Sequence, residues 1–500
     1  MSNTFDFSQF SKQSSKGVFI IYLNLIYKVI RAFWVLLFVF FQRFSKISET
    51  NTIYICIGIA ALLLFLLARA FLIYKNFQFK IDKEYFILKQ GILKKTNTSI
   101  AFHRIQNINF KQNLVQQIIG VFEVSIETAG SSKTEISIKA LSLEKATALK
   151  EFIAKNTTID KEIVEKEETK PLVKIGVKEL LKVSLTENHL QNLFLFLALV
   201  FGLFSQLQQI FDNLGKTEAL DGFIEENTNA ISASIVIMVV SLMLLIIIAL
   251  LSSFVRVFLI HFNLTAYLKK DAFEINQGLF TKKSIILKKQ KIQNITVSTN
   301  PLKRWIGISF ITFKQAVSGK VNNKKKEKLI RIVGCKKDQI ETIKKSLFEF
   351  SDVENSTKKF PDHYYKRRIF IISFLILISL YAFFYIGSSQ IEVLYTAILI
   401  VPIVVFLILK KVKKRFYKIS DEILLVGKGL LETHITYLEI FKVQNIKIRQ
   451  TIFQKRSSVA DIILQTASGK IRIPCIHFDD AIKIYNHTLY KVEISQREWM

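Results

Sequence analysis

One plan runs through this chain three times, and it leaves few folds open. Two long apolar stretches lie close together, a long lysine-rich polar stretch follows, and the pattern starts again. A helix needs about 20 apolar residues to cross a bilayer. Candidate spans lie at about Ile26–Phe44, Ile53–Tyr74, Leu193–Ile210, Ile231–Ile260, Ile369–Ile386 and Ile391–Leu409, which form three pairs. Leu193–Ile210 is the weakest, because Ser205, Gln206, Gln208 and Gln209 crowd its far end. The first carries Lys28 and Arg31 near its start and has two readings. Either it spans, with both cations snorkelling to the cytoplasmic headgroups, or Val18–Arg31 lies along the interface as an amphipathic helix. The spanning reading is preferred. The preceding residues hold Lys12 and Lys16 but no small-residue cleavage site, so they read as a retained segment, not a signal peptide.

The polar stretches are themselves copies. Residues Gly91–Ala129, Gly278–Ala316 and Gly429–Ala467 align without a gap. Each carries Gln-Asn-Ile at the same offset: Gln106-Asn107-Ile108, Gln293-Asn294-Ile295 and Gln444-Asn445-Ile446. Further on stand Asn113, Asn300 and Thr451, all good N-cap residues, and Pro301 takes the favoured first helical position. The next loop holds Gly120, Gly307 and Ser458.

The first copy illustrates the local structure. Phe79–Ile81 and Tyr85–Lys89 alternate apolar and polar residues and close on Gln90-Gly91, as a hairpin does. Strands are expected near Thr96–Phe102 and Ile105–Phe110, one helical turn over Leu114–Ile119, and strands over Phe122–Thr128 and Glu135–Ile138. Ser142 opens a helix to about Ala154, with Leu143, Ala146, Leu149 and Phe152 on one face. The other copies end in helices near Asp338–Phe350 and Asp479–Tyr490. Each copy is thus an α+β module of antiparallel strands with a C-terminal amphipathic helix.

A membrane hairpin followed by such a module resembles the bacterial pleckstrin-homology-like (PH-like) domain family. Three hairpins, each followed by one module, are similar to YdbT-like bacterial membrane proteins. His103-Arg104-Ile105-Gln106-Asn107-Ile108 and Gln112-Asn113-Leu114 match best, while Lys291 and Lys442 stand where the first copy has Arg104. The resemblance implies a seven-stranded bent sheet capped by a helix in each module, membrane attachment, and no enzymatic activity. Some members are thought to help protect cells against antimicrobial peptides. The expected parts are an N-terminal segment with the first hairpin (1–75), module 1 (76–157), a charged linker (158–187), and the second hairpin (188–262). Module 2 (263–350), a linker (351–368), the third hairpin (369–410) and module 3 (411–500) complete the chain.

Charge sets the expected topology. The chain is 50% hydrophobic yet carries 70 Lys+Arg against 40 Asp+Glu, a net +30. The loop 212–226 has five acids and one base, net −4, whereas 269–350 has 20 Lys+Arg against 6 Asp+Glu, net +14. Residues 75–160 and 410–500 come to +5 and +8. The positive-inside rule therefore puts the modules and both termini in the cytoplasm of a bacterial inner membrane. Arg43 and Lys46 in the first loop dissent and are outvoted.

Candidate sites follow from the same charges. Lys282, Lys283, Lys288, Lys289, Lys291, Lys303 and Arg304 are expected to form a basic face on module 2, joined near the membrane by Lys413, Lys414 and Arg415. Such cations attract anionic headgroups, and they also hold helices in orientation. The Gln-Asn pairs, Gln106, Asn107, Gln293, Asn294, Gln444 and Asn445, read as structural. The phosphoinositide-binding pattern of eukaryotic relatives is absent from all three copies. Nucleic acid is excluded as a partner for want of an RNA-binding motif, and the hairpins hold the basic surface at the membrane. Cys56, Cys335 and Cys475 are too scattered for a metal site, and neither a catalytic motif nor a cofactor signature occurs. The expected function is a non-enzymatic membrane scaffold that binds anionic lipid or a protein partner, such as a related membrane protein. The alternative is a transporter or resistance protein acting on membrane-active antimicrobial compounds.

Overall fold

The computed structural model describes residues 7–43, 49–82, 85–128, 136–156, 170–187, scattered positions between 189 and 222, 235–316, 330–348, 356–388 and 392–497. In the first third a short strand β1 (Ser11–Lys12) leads into hairpin helices α1 (Gly17–Arg43) and α2 (Glu49–Lys75). Strands β2 (Gln78–Asp82), β3 (Tyr85–Gln90), β4 (Thr96–Ala101) and β5 (Ile105–Gln112) follow, then the short helix α3 (Leu114–Ile119). The module ends with β6 (Val121–Thr128), β7 (Ile136–Ser142) and α4 (Leu143–Asn156). The second third repeats this order as β8 (Val173–Lys174), α5 (Val177–Thr186), α6 (Ile235–His261), β9 (Thr265–Leu268), β10 (Ala272–Gln277), β11 (Lys282–Lys288) and β12 (Ile292–Thr299). It closes with α7 (Pro301–Ile306), β13 (Ser309–Gln315), β14 (Ile330–Cys335) and α8 (Lys337–Leu347). The last third has α9 (His363–Ser388), α10 (Glu392–Lys413), β15 (Phe416–Ile419), β16 (Ile423–Gly429), β17 (Thr433–Glu439) and β18 (Val443–Arg449). It ends with α11 (Ile452–Arg456), β19 (Val459–Thr466), β20 (Gly469–His477) and α12 (Phe478–Ile494).

The hairpin helices expose their apolar side chains, as helices solvated by lipid do. Only 11% of Ile53–Lys75 and 17% of Met243–His261 is buried, and both are long and apolar enough to span, as is Gly17–Trp34. Helix α1 breaks at Phe33, whose φ of −115° and ψ of 15° are non-helical, so two helical pieces meet there at a kink. Its first turns pack on module 1 through Ile20 and Ile21. There Lys28 lies near enough to Lys139 of β7 to add to the effect of burial in lowering that amine's pKa. The expected span Leu193–Ile210 lies partly outside the described residues, and its described positions are helical.

The local signals act as the repeat implies. Asn113 accepts the Gln116 backbone N–H at 2.9 Å while Gln116 Oε1 accepts that of Asn113, a capping box. Thr451 and Gln454 repeat it, and Asn300 caps α7 with Pro301 at its start. These helices end in left-handed residues, Gly120 and Gly307 at φ 75° and Ser458 at φ 51°. Each module is a sandwich of two half-sheets around an apolar core. In module 1 Phe79 and Phe86, both fully buried, stack at 5.8 Å and face Ile105, Val124, Ile136 and Ile138, with Ala146 and Leu149 of α4 as the lid. Each such side chain contributes about 1.5–3 kcal/mol.

The sheets do not stop at the module boundary. Among the described strands, one sheet runs β7-β6-β5-β11-β10-β9-β8 and another β14-β13-β12-β17-β16-β15. The second half of each of the first two modules therefore continues into the first half of the next. Both joints have the same register: Asn107 pairs with Leu287 in one, and Asn294 with Leu438 at the equivalent positions of the other. Each module is thus built from two half-sheets, each shared with a neighbour where there is one. The segment read as a charged linker, 158–187, also contributes to module 2. Val173 pairs with Ala266, and α5 buries Leu180 and Val183 in the module's core. Lys359 bridges Tyr417 in the same way for module 3.

Candidate functional site

Modules 2 and 3 present apolar side chains on the side from which their hairpin helices emerge, and module 1 carries one at the equivalent position. The β10–β11 turn sits against the end of α6, with the Gly278 and Leu279 N–H groups donating to the Phe262 and Leu259 carbonyls at 2.9 and 3.1 Å. Lys414, just past α10, likewise donates to the Leu431 carbonyl in the β16–β17 turn. At the crest of these turns, in equivalent positions, Leu93, Phe280 and Leu431 are 100%, 49% and 52% exposed. The short helices add Ile118 and Trp305, each 86% exposed, and Phe453. Gln117 of α3 donates to the Leu279 and Phe280 carbonyls at 3.2 and 3.1 Å, so the short helix of one module abuts the turn of the next. Apolar tips among basic residues suit the headgroup–acyl boundary.

A cavity of about 280 Å³ opens where the third hairpin meets module 3. Tyr365 and Arg368 from the start of α9, Lys411 from the end of α10, Arg415, and Arg472 from β20 line it. Asp461, almost fully buried, accepts from Arg472 and from the Cys475 backbone N–H at 2.8 Å, which fixes the arginine against β19. Arg415 donates to the Arg472 carbonyl. Burial lowers the Arg415 pKa, with Tyr365 opposing and Arg472 adding to the shift. Burial and Arg415 together lower that of Lys428 nearby. Cations crowded this way favour an anionic guest. Of this cluster the sequence singled out Arg415 as a candidate site residue. Tyr365 and Arg472 were missed, because nothing in a strand pattern tells that β20 returns to the helix ends.

The basic face expected on module 2 is divided by the structure. Lys282 and Lys283 are exposed at the end of β11 nearer the hairpin, as is Arg304 on α7. Lys288, Lys289 and Lys291 lie at the strand's other end, about 20 Å away at about 3.3 Å per residue, where the Lys289 N–H donates to the Asp271 carbonyl. Burial, followed by the charge of Lys291, lowers the Lys288 pKa to about 8. Lys413 is exposed and Lys414 and Arg415 half-buried on the membrane side. Lys303 leaves the exposed face altogether, being 1% exposed. Its ammonium meets Glu432 of module 3 at 2.7 Å and Glu187 at 3.8 Å and sits 3.7 Å over the Phe310 ring. A lysine and arginine side by side look alike in sequence, but on one turn of helix the first faces the joint and the second faces out.

The Gln-Asn-Ile motif also finds its place. In each copy the Gln is the extra residue of a β-bulge: the register shifts between Ile105 and Asn107, Ile292 and Asn294, and Val443 and Asn445. A bulge bends the strand and raises its twist, as two half-sheets that turn over one another require. Gln293 and Asn294 are 1% exposed at the joint, where the Asn294 amide donates to Ser468 Oγ at 2.6 Å. Gln444 and Asn445 are exposed on β18. The side chains of Gln106 and Asn107 lie outside the described residues. Full burial pushes the Cys335 thiol up to about 12, which leaves it no nucleophilic role near neutral pH.

Comparison with known proteins agrees with this architecture. The family model for the bacterial PH domain matches residues 25–157, 198–350 and 373–492. The chain is 24% identical over 468 residues to the transmembrane protein YdbT of Bacillus subtilis (strain 168), covering 89% of this chain and 91% of that relative. Each matched segment includes apolar hairpin residues as well as the strands behind them. The chain is a membrane protein that belongs to the bacterial PH domain family and carries the domain three times.

Proposed function

We propose that this protein is a non-enzymatic scaffold of the bacterial inner membrane whose three modules rest on the cytoplasmic leaflet and hold anionic lipid headgroups there. The observation that carries the reading is the cavity ringed by Arg368, Lys411, Arg415 and Arg472 where helix ends meet the third module. Arg472 is tied to Asp461, so at roughly 1 kcal/mol per cation near an anionic leaflet the other three favour an anionic headgroup by about 3 kcal/mol, or somewhat over a hundredfold. The exposed tips Leu93, Phe280 and Leu431 support it, since they aim apolar surface at the same leaflet. The positive modules and the acidic loop 212–226 favour a cytoplasmic placement. The test is the phospholipid retained by the full chain after mild detergent extraction, read by mass spectrometry. Phosphatidylglycerol should be enriched over its share of the membrane, and Arg415→Gln with Arg472→Gln should cut that enrichment several-fold. A retained pool that mirrors the bulk membrane in both proteins overturns the reading.

A further inference from the structure

Two strand edges, one at each end of the row of modules, are left without a neighbour among the described strands: β4 in module 1 and β18 in module 3. They are not unrelated edges. By the gap-free repeat alignment, β4, β11 and β17 are the same strand in three copies, and β5, β12 and β18 are another. The two internal joints pair β5 with β11 and β12 with β17, each through six residue pairs in one register. The free edges are therefore the two halves of a third joint of the same kind. We propose that a second copy of this chain completes it, its β4 adding to β18 of the first in a head-to-tail contact.

The register follows from the other two. Asn445 would face Ile100 of the second copy, Lys447 Thr98, and Arg449 Thr96. Three contrasts between made and unmade joints point the same way. Gln293 and Asn294 are 1% exposed in the joint they belong to, whereas their counterparts Gln444 and Asn445 are exposed. Lys442 is buried across its joint, donating to the Ile292 carbonyl at 2.7 Å, whereas its counterpart Arg104 is exposed. The apolar tips show the third contrast. Phe280 and Leu431, on the turns that open the joined strands β11 and β17, are 49% and 52% exposed, whereas their counterpart Leu93, on the turn that opens the free strand β4, is 100% exposed.

The charges on β18 do not argue against pairing. Lysines commonly guard an open edge, yet β5 carries Lys111 directly opposite Lys283 and the joint still forms. The hairpin helices α6 and α10 end against the turns that open β11 and β17, the strands that make the internal joints. A third joint of the same geometry leaves the second copy's hairpins in the same bilayer. Because the contact is heterologous, repetition gives a ring if the rotation closes and a filament if it does not.

Cross-strand cysteines in the full chain test this in membranes, with Cys56 replaced by Ser. Directly opposed residues place Cβ atoms about 4.5–5.5 Å apart, within reach of a disulfide after small adjustment. A chain with Lys447→Cys, co-expressed with a differently tagged chain carrying Thr98→Cys, should give on mild oxidation a dimer holding both tags. Asn97→Cys in place of Thr98→Cys, one residue out of register on the other face, should give little. Thr296 and Thr436, whose hydroxyls lie 3.0 Å apart, occupy the equivalent pair in an internal joint. Their double cysteine variant is the positive control and must cross-link within one chain. If that control reacts while the two-tag dimer is absent, the proposal is overturned. It is overturned equally if Lys447→Cys chains couple only to each other, or to a different protein.

Discussion

Replacing Lys303 by Met tests whether the joint between modules 2 and 3 is a structural element in its own right. Lys303 is 1% exposed and bridges Glu432 and Glu187, while Arg331 also reaches Glu187 at 3.1 Å. Removing one partner of a buried pair costs about 3–5 kcal/mol, because the other charge is stranded. The Glu432 side chain is 22% exposed and water relieves part of that, so about 3 kcal/mol is the appropriate figure. Hydrogen exchange of the β12 and β17 amides in the full chain reads the opening of this joint, and 3 kcal/mol corresponds to about a 150-fold acceleration. Removing both charges together, Lys303→Met with Glu432→Gln, should restore most of the protection. The effect should also depend on pH. Burial keeps the His434 pKa below its ordinary value, and the Lys303 charge helps to do so against Glu432, 3.7 Å from the imidazole. Without Lys303 that depression is smaller, so protonating His434 below the unfolded value of about 6.5 costs the fold less than it does in the native protein. Lys303→Met should therefore open the joint less at pH 5.5 than at pH 8. Unchanged exchange in the single variant, or costs that simply add in the double one, would refute the reasoning.

Two further outcomes follow from local geometry. Gly278 has φ +107°, and a Cβ there would lie 2.1 Å from the Thr281 carbonyl oxygen, so Gly278→Ala should destabilise the β10–β11 turn by at least about 1–3 kcal/mol. Faster amide exchange across that turn is the readout. The Lys288 ammonium titrates near 8 because burial and Lys291 oppose its charge, so folding grows more favourable as pH rises from about 8 towards the unfolded lysine value of about 10.4. Lys288→Met should stabilise the protein at pH 7 and lose that advantage near pH 10.5, as denaturant unfolding of both proteins at each pH will show.

The fold was legible wherever it rests on local chemistry. The caps Asn113, Asn300 and Thr451, the left-handed positions Gly120, Gly307 and Ser458, and the strand alternation are all settled within a few residues. The joints were not legible. Alternation tells which face of β11 is buried, but the two edges of a strand carry the same backbone groups, so it does not tell that β5 is the neighbour. The Gln-Asn-Ile motif was read as structural, but its place as a bulge at a joint appears only once Asn294 and Asn445 are compared, one buried and one exposed. The basic face failed for a related reason. Seven cations in one module carry no address in sequence, and the strand length separates Lys282 from Lys288 while helix periodicity turns Lys303 inward.

The central claim is that the modules lie against the leaflet from which their hairpins emerge, and Trp305 measures this most directly. It is 86% exposed on α7, and the chain has only 3 Trp. Replacing Trp34 and Trp499 with Phe leaves it as the sole reporter in the full chain. In bilayers containing phosphatidylglycerol, its emission should be blue-shifted, quenched by lipids brominated near the headgroup, and protected from aqueous iodide. Emission like that of tryptophan in water, quenched by iodide and untouched by brominated lipid, would contradict the account.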